Sequence, residues 1–185
     1  MSVLTTQRLV LRPFREGDAE PMFRNWMSDE DVARYCRWYR HKDLKSSQWL
    51  LQQYLKEAAD GFPYRWCVNE KGREEAIGCV EVVGLREHKT CAEIGYVIAK
   101  RFWNQGYMTE AVAAVIRELF RSGFHKVLAR HHADNPASGR VAEKCGMHFV
   151  GWEQELHKPD SDILCDMQVH AIHKDDYGPE RIVHG

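Results

Sequence analysis

An α/β protein of the α+β kind, built on one mixed and mostly antiparallel sheet of about seven strands, is what the sequence predicts. Three observations carry this. Short apolar runs with strand-like alternation recur near residues 7–14, 64–69, 76–85, 91–99, 126–132, 147–156 and 163–172. Stretches at 46–59 and 108–121 carry the apolar spacing of helices instead. The runs 76–85 and 91–99 are joined by a short polar link, as in a hairpin, whereas a long helix separates 91–99 from 126–132. The order is therefore antiparallel first, with one β-α-β crossover.

Residues 7–14 alternate at Leu9 and Leu11 and stop at Pro13, as an edge strand does. Residues 18–27 predict a helix with Pro21 near its first turn and Met22, Phe23 and Trp26 on one face. Residues 29–39 predict a second helix. Residues 46–59 predict a third, capped by Ser46 or Ser47, striped by Leu50, Leu51, Tyr54, Leu55 and Ala58, and stopped by Gly61. The helix over 108–121 places Val112, Val115, Ile116 and Leu119 on one face, and Gly123 ends it. A short helix over 136–144 has Asn135 as its N-cap and Gly146 past its end. A single domain is expected over 1–175, with a tail over 176–185.

The 185 residues carry a formal net charge of −1, which disfavours a binder relying on nonspecific attraction to nucleic acid. No apolar run approaches the ~18 residues of a membrane span. The N-terminus lacks a signal-peptide stretch, so a cytoplasmic protein is expected. The six cysteines are scattered, without a C-x-x-C pair, and are expected as reduced thiols. There is no H-x-x-x-H pair, and His131 and His132 point to opposite faces of a strand, so no metal site is expected.

The chemistry concentrates in residues 93–111, EIGYVIAKRFWNQGYMTEA. A strand runs into a glycine-containing turn that opens the best helix of the chain. A helix N-terminus offers unpaired N–H groups and a partial positive charge, hence an anion site. Gly106 lets the backbone approach that anion closely. Taken alone, one glycine in a connecting turn is weak evidence.

The run Trp103-Asn104-Gln105-Gly106-Tyr107-Met108-Thr109-Glu110-Ala111 resembles the acetyl-CoA pyrophosphate loop of the GNAT N-acetyltransferase superfamily. More narrowly, it is similar to the RimJ/RimL-type branch, ribosomal-protein N-terminal acetyltransferase-like, whose loop reads W-G-x-G-Y-x-T-E-A. Three further segments agree in order: Thr6, Arg8, Leu9, Leu11 and Arg12 as T-x-R-L-x-L-R; Ala92 to Tyr96 as A-E-I-G-Y; and Asn135, Ser138, Val141, Glu143, Lys144 and Gly146 as N-x-x-S-x-x-V-x-E-K-x-G. The resemblance spans about residues 5 to 175. Asn104 stands where glycine is common, a residue that tolerates positive φ. Met108 replaces the Gly or Ala of the wider superfamily, and Met147 replaces a Phe.

The resemblance implies helices on both sheet faces, a splay between the fourth and fifth strands, and acetyl-CoA as acetyl donor. The backbone of Val97 and Ile98 would meet the pantetheine arm, with one of their N–H groups on the oxyanion. The amides of Gln105, Gly106, Tyr107, Met108 and Thr109 would hold the pyrophosphate. Asn135 and Ser138 would sit near the thioester, and Arg101, Arg140 and Lys144 on the rim. Direct attack by an acceptor amine is the expected route. Glu93 is the first candidate base and Glu81 the second. Ser138 would protonate the thiolate or hold a water, and Asn135 would bind the pantetheine or a catalytic water.

The acceptor is expected to be a protein N-terminal α-amine, with a small-molecule amine or antibiotic, or a non-catalytic acyl-CoA-binding role, as alternatives. It should meet residues 29–53, which hold Tyr35, Trp38, Tyr39 and Trp49. No membrane or nucleic-acid partner is expected. The last strand, with Gln168, His170 and His173, leaves a homodimer open.

Overall fold

The computed structural model describes residues 2–178. Its strands are β1 (Leu4–Thr5), β2 (Leu9–Arg12), β3 (Arg65–Glu70), β4 (Ala76–Arg86), β5 (Cys91–Ile98), β6 (Lys126–His132), β7 (His148–Leu156) and β8 (Leu164–His173). They form one sheet in the order β1-β2-β3-β4-β5-β6-β8-β7. Only β5 and β6 pair in parallel, and they are the pair joined by the long helix. The eighth strand is β1, two residues long and too short to show a period in the sequence.

The expected fourth and fifth strands are β5 and β6. They pair from Cys91↔Lys126 to Ile94↔Ala129, after which β5 runs on to Ile98 without β6 beside it. The splay is thus real and opens at Gly95. The final strand cannot pair across a dimer edge, because β8 is bonded to β6 on one side and β7 on the other.

Alternation along the strands divides the core. Val68, Val80, Val82, Ile94 and Ile98 face one side, where α4 (Tyr107–Arg121) packs with Val112, Val115, Ile116 and Leu119. Truncating Ile116 or Leu119 to alanine costs about 2–5 kcal/mol. α5 (Pro136–Lys144) lies on the same face, through Ala142. On the other face, Cys67, Cys79 and Val97 meet Met22, Trp26 and Leu51 from the N-terminal helices.

Those helices depart from expectation. α1 (Ala19–Met22) widens after one turn into a π turn at Phe23–Met27. The helix expected over 29–39 is only α2 (Glu30–Ala33), and residues beyond it form a loop. α3 (Leu44–Ala59) begins two residues early because Asp43, not Ser46 or Ser47, caps it by accepting from Ser46 N–H. The tail boundary also moves: Lys174–Asp176 form a turn, and the Tyr177 ring packs on Phe120 at 5.2 Å. The rest of the expected tail, 179–185, lies outside the described residues. Among the described residues no helix is long and apolar enough to cross a membrane.

Candidate active site

Gly106 is the N-cap of α4, with φ +77, and no side chain caps the helix. Its first N–H groups therefore point into the adjoining space. Asn104 takes φ +57, so the loop makes its turn with asparagine in place of glycine. The loop is stapled from outside. Glu110 accepts from Thr6 Oγ1 at 2.5 Å and from the Arg8 N–H and Nε, both at 2.7 Å. Arg8 also donates to Gln105 O at 2.9 Å and lies 4.2 Å over the Tyr107 ring. Burial works against the Glu110 charge, but the bonds from Thr6 and Arg8 outweigh it and keep its pKa below the usual value. The opening T-x-R-L segment is therefore a brace for the loop.

A cavity of about 690 Å³ runs from this helix end into the splay. Ile98, Gly106, Met108, Thr109, Asn135 and Ser138 line it, as do Arg140 and Lys144. The Gln105 side chain turns back to Arg101 O at 2.7 Å, and the Tyr107 hydroxyl reaches Glu70 at 3.0 Å, so neither side chain enters it. Arg101 is likewise drawn off, to Asn25 at 2.7 Å and Glu75 at 3.1 Å.

The backbone at the splay sorts Val97 from Ile98. Ala99 N–H bonds to Ile77 O, which makes that opposed pair, and by alternation Val97↔Cys79, hydrogen-bonded pairs. Val97 thus turns its backbone to β4, while Ile98 and Tyr96 turn theirs to the gap. The Ile98 carbonyl is already taken by Trp103 Nε1 at 3.0 Å.

Across the gap, Asn135 caps α5 by accepting from Ser138 N–H at 3.3 Å. Ser138 Oγ donates to the Tyr96 hydroxyl at 3.1 Å, which donates to Ser138 O at 2.8 Å. Burial raises the Tyr96 pKa well above its usual value, so the phenol stays protonated. The sequence reading missed Tyr96 as a site residue, although it closes the A-E-I-G-Y motif.

A second cavity, about 590 Å³, lies on the opposite sheet face. Phe14, Trp26, Trp38, Trp49 and Tyr54 give it aromatic walls, and Cys79 and Glu81 lie at its sheet side. Val97 lines both cavities. Arg65 Nε donates to Glu81 at 2.6 Å. Burial nevertheless raises the Glu81 pKa, against the pull of Arg65. The loop beyond α2 separates the cavities, with Tyr35 and Cys36 lining the first and Trp38 the second. Lys158 pins it: the ammonium, buried, donates to Ala33 O at 2.8 Å, Cys36 O at 2.5 Å and Trp38 O at 3.0 Å.

Glu93 is elsewhere. It shares the face of Glu81 and Val97, but it sits four residues from Val97 along β5, about 13 Å. Glu81, opposite Gly95, is two residues from the Val97 level, about 7 Å. Both Glu93 oxygens are engaged, with Arg86 at 2.9 Å and Arg130 at 2.7 Å, and Glu153 and Glu155 complete the half-buried ion network. Glu93 lines neither cavity. Glu93, the first expected base, thus sits in an ion network outside both cavities.

The cysteines are all free. Burial pushes Cys36 up to about 11 and raises Cys79 well above its ordinary value, so the thiols that line the cavities stay protonated.

A family model described as the acetyltransferase (GNAT) domain matches residues 8–148. YkkB of Bacillus subtilis (strain 168) is 32% identical over 158 residues, 84% of this chain and 91% of that protein. RimL, a ribosomal L7/L12 α-N-protein acetyltransferase in complex with coenzyme A, superposes with a TM-score of 0.79 at 18% identity, over 95% of this chain and 100% of that one. A Vibrio cholerae spermidine N-acetyltransferase in complex with CoA and spermine superposes with a TM-score of 0.76 at 20% identity, over 91% and 97%. At those identities the two structures establish the fold, and the match over most of the chain establishes the family. The splayed sheet, the uncapped α4 N-terminus behind Gly106 and the family match agree: this chain belongs to the GNAT N-acetyltransferases, in their RimJ/RimL-type family.

Proposed function

We propose that this chain acetylates a primary amine by direct attack within a ternary complex, donor in the first cavity and acceptor in the second. The observation that carries this is the pair of cavities on opposite sheet faces meeting at Val97. Acetyl-CoA, the donor of this family, supplies the thioester carbonyl and the thiolate leaving group. The α4 amides around Gly106 fit its pyrophosphate, with Arg140 and Lys144 on the rim. The Ile98 N–H, free of β4, is placed to stabilise the oxyanion. Ser138, hydrogen-bonded to Tyr96, protonates the departing sulfur directly or through water. Asn135 fixes Ser138 through the α5 cap.

Glu81 takes the amine proton through water. A carboxylate whose pKa is raised is a better base than a free one. Its reach is modest, which favours an α-amine (pKa about 7.7–8.0) over a lysine amine (about 10.4), a gap of about 3.4 kcal/mol in deprotonation. The acceptor is thus the N-terminal α-amine of a polypeptide whose first residue fills the aromatic cavity. A second reading, a free apolar amine, is favoured by one observation: the cavity volume is of small-ligand size.

Thiol release from acetyl-CoA tests both. With an aromatic amino-acid amide and peptides of increasing length, kcat/KM climbs with length for a polypeptide acceptor and falls for a small amine. On the acid side kcat/KM depends on one proton from the acceptor amine and one from Glu81, so its limiting slope of two falls to one in Glu81→Gln. An unchanged slope in that variant removes Glu81 from the mechanism.

A further inference from the structure

The sheet order assembles a set of soft ligands that have no motif in the sequence. β8 lies between β6 and β7. His132 on β6 stands opposite Met167, and Glu155 on β7 stands opposite Cys165. His157, two residues beyond Glu155, bonds by its N–H to Ile163 O. Two-residue alternation therefore turns His132, His157, Cys165 and Met167 to one sheet face.

One ligand atom from each of His132, His157 and Cys165 lies within 4.8 Å of the other two, and all three are half-buried. The two imidazoles meet edge to face at 5.5 Å, and Cys165 Sγ lies 3.7 Å from Met167 Sδ.

We propose that His132, His157 and Cys165 bind a thiophilic cation, zinc(II), at this face. Two imidazoles and a thiolate are a zinc donor set, and the fourth position is open to water or to the Met167 thioether. Cys165 gives its thiol proton to solvent on binding. His132 Nδ1 accepts from the Asp134 N–H at 3.1 Å, which fixes that ring, and the Asp134 carboxylate lies 3.8 Å away.

The position gives the ion a task. Tyr35, from the loop between the cavities, packs on the His132 ring at 5.3 Å, and Lys158, next to His157, pins the same loop. A bound cation would tie the ends of β6, β7 and β8 together beneath that wall. No spacing rule in the sequence reveals the set, because its members come from β6, from β8 and from the residue just past β7.

The test uses the full chain, reduced and stripped with a chelator. Calorimetric titration with zinc(II) is expected to give one equivalent, and zinc(II) to raise the melting temperature. Cobalt(II) is expected to show a thiolate-to-metal charge-transfer band. Cys165→Ser should lose the band, and both it and His157→Gln should weaken zinc about tenfold or more. Neither variant should melt higher with zinc. The proposal is overturned if the wild type takes up no zinc, or if its cobalt complex lacks the thiolate band. The cobalt spectrum of the wild type decides the matter even where a variant folds poorly. Equal zinc affinity in Cys165→Ser would also overturn it, by placing the ion on other histidines.

Discussion

Gly139→Ala changes one methyl group, and its effect follows from where α5 sits. A Cβ at Gly139 would fall 2.8 Å from His131 Nε2 and 3.0 Å from Cε1. His131 Nδ1 is 3.0 Å from the His132 carbonyl, so the ring donates there and its Nε2 lone pair faces α5 without a partner. The ring is buried and stacked on His170 at 5.2 Å, which stops it from swinging aside. Relief to an ordinary contact moves the helix or the ring by about 0.6 Å. Overpacking of this kind costs about 1–3 kcal/mol. Alanine returns about 1 kcal/mol of helix propensity. The net loss of stability is therefore small, about 0–2 kcal/mol.

Activity is the more sensitive readout. The displacement passes to Ser138, the preceding residue, and to its bond with Tyr96. A misplacement of 1 Å costs about 100-fold, so about 0.6 Å predicts roughly a tenfold fall in kcat. Thermal melts and thiol release at saturating acetyl-CoA measure the two effects separately. A variant that melts higher than wild type with undiminished kcat would refute the reasoning, because it would show that this contact does not set the position of α5.

Gly106→Ala keeps φ +77 at a cost of about 1–2 kcal/mol. The KM for acetyl-CoA is expected to rise about tenfold, with kcat at saturation close to wild type, in initial-rate measurements. Lys158→Met leaves three carbonyls, that of Ala33 buried and those of Cys36 and Trp38 half-buried, without their charged donor. Denaturant unfolding should show a loss of about 2–4 kcal/mol, and the acceptor KM should rise more than the donor KM. Acid should weaken the fold: burial holds the His41 and His170 pKa values below normal, and the stacked His131 adds to the effect at His170. Between those lowered values and the unfolded value near 6.5, the unfolded chain binds more protons, so stability falls as pH drops below about 6.5. A melting temperature flat from about pH 7 to 5 would count against this.

The legible parts of the site are those that act through local backbone. Gly106 caps α4 and Asn135 caps α5 because helix ends are written in a few adjacent residues. Thr6 and Arg8 were legible as a motif but not as a brace, since Glu110, their partner, is about a hundred positions away in the chain. Glu93 was the expected base because it lies on β5, the strand that the resemblance assigns to the thioester. Its neutralisation by Arg86 and Arg130 depends on the register of β4, β5 and β6, which no local pattern encodes. The helix expected over 29–39 failed for a similar reason. Three of its carbonyls are satisfied by Lys158 from the far hairpin, so the segment has no need of helical hydrogen bonds there.

The two sides of the site differ in kind. In the proposed reading the donor brings one unvarying anion to the α4 amides, and a turn of fixed conformation suffices to hold it. Its sequence is therefore constrained residue by residue. The proposed acceptor cavity is walled by α1, α3 and a loop without regular structure, and in that reading it needs only shape and one basic carboxylate. Many sequences meet that need, provided that something fixes the loop. Here that fixing comes from Lys158 and from the packing of Tyr35 on His132, both across the sheet from the segment they hold. Substitutions at Lys158 or His132 should therefore alter acceptor selection while leaving acetyl-CoA affinity nearly unchanged, whereas substitutions at Gly106 should do the reverse. Measuring both KM values in each variant separates the two halves, and parallel changes in both would show that loop and turn form one rigid unit.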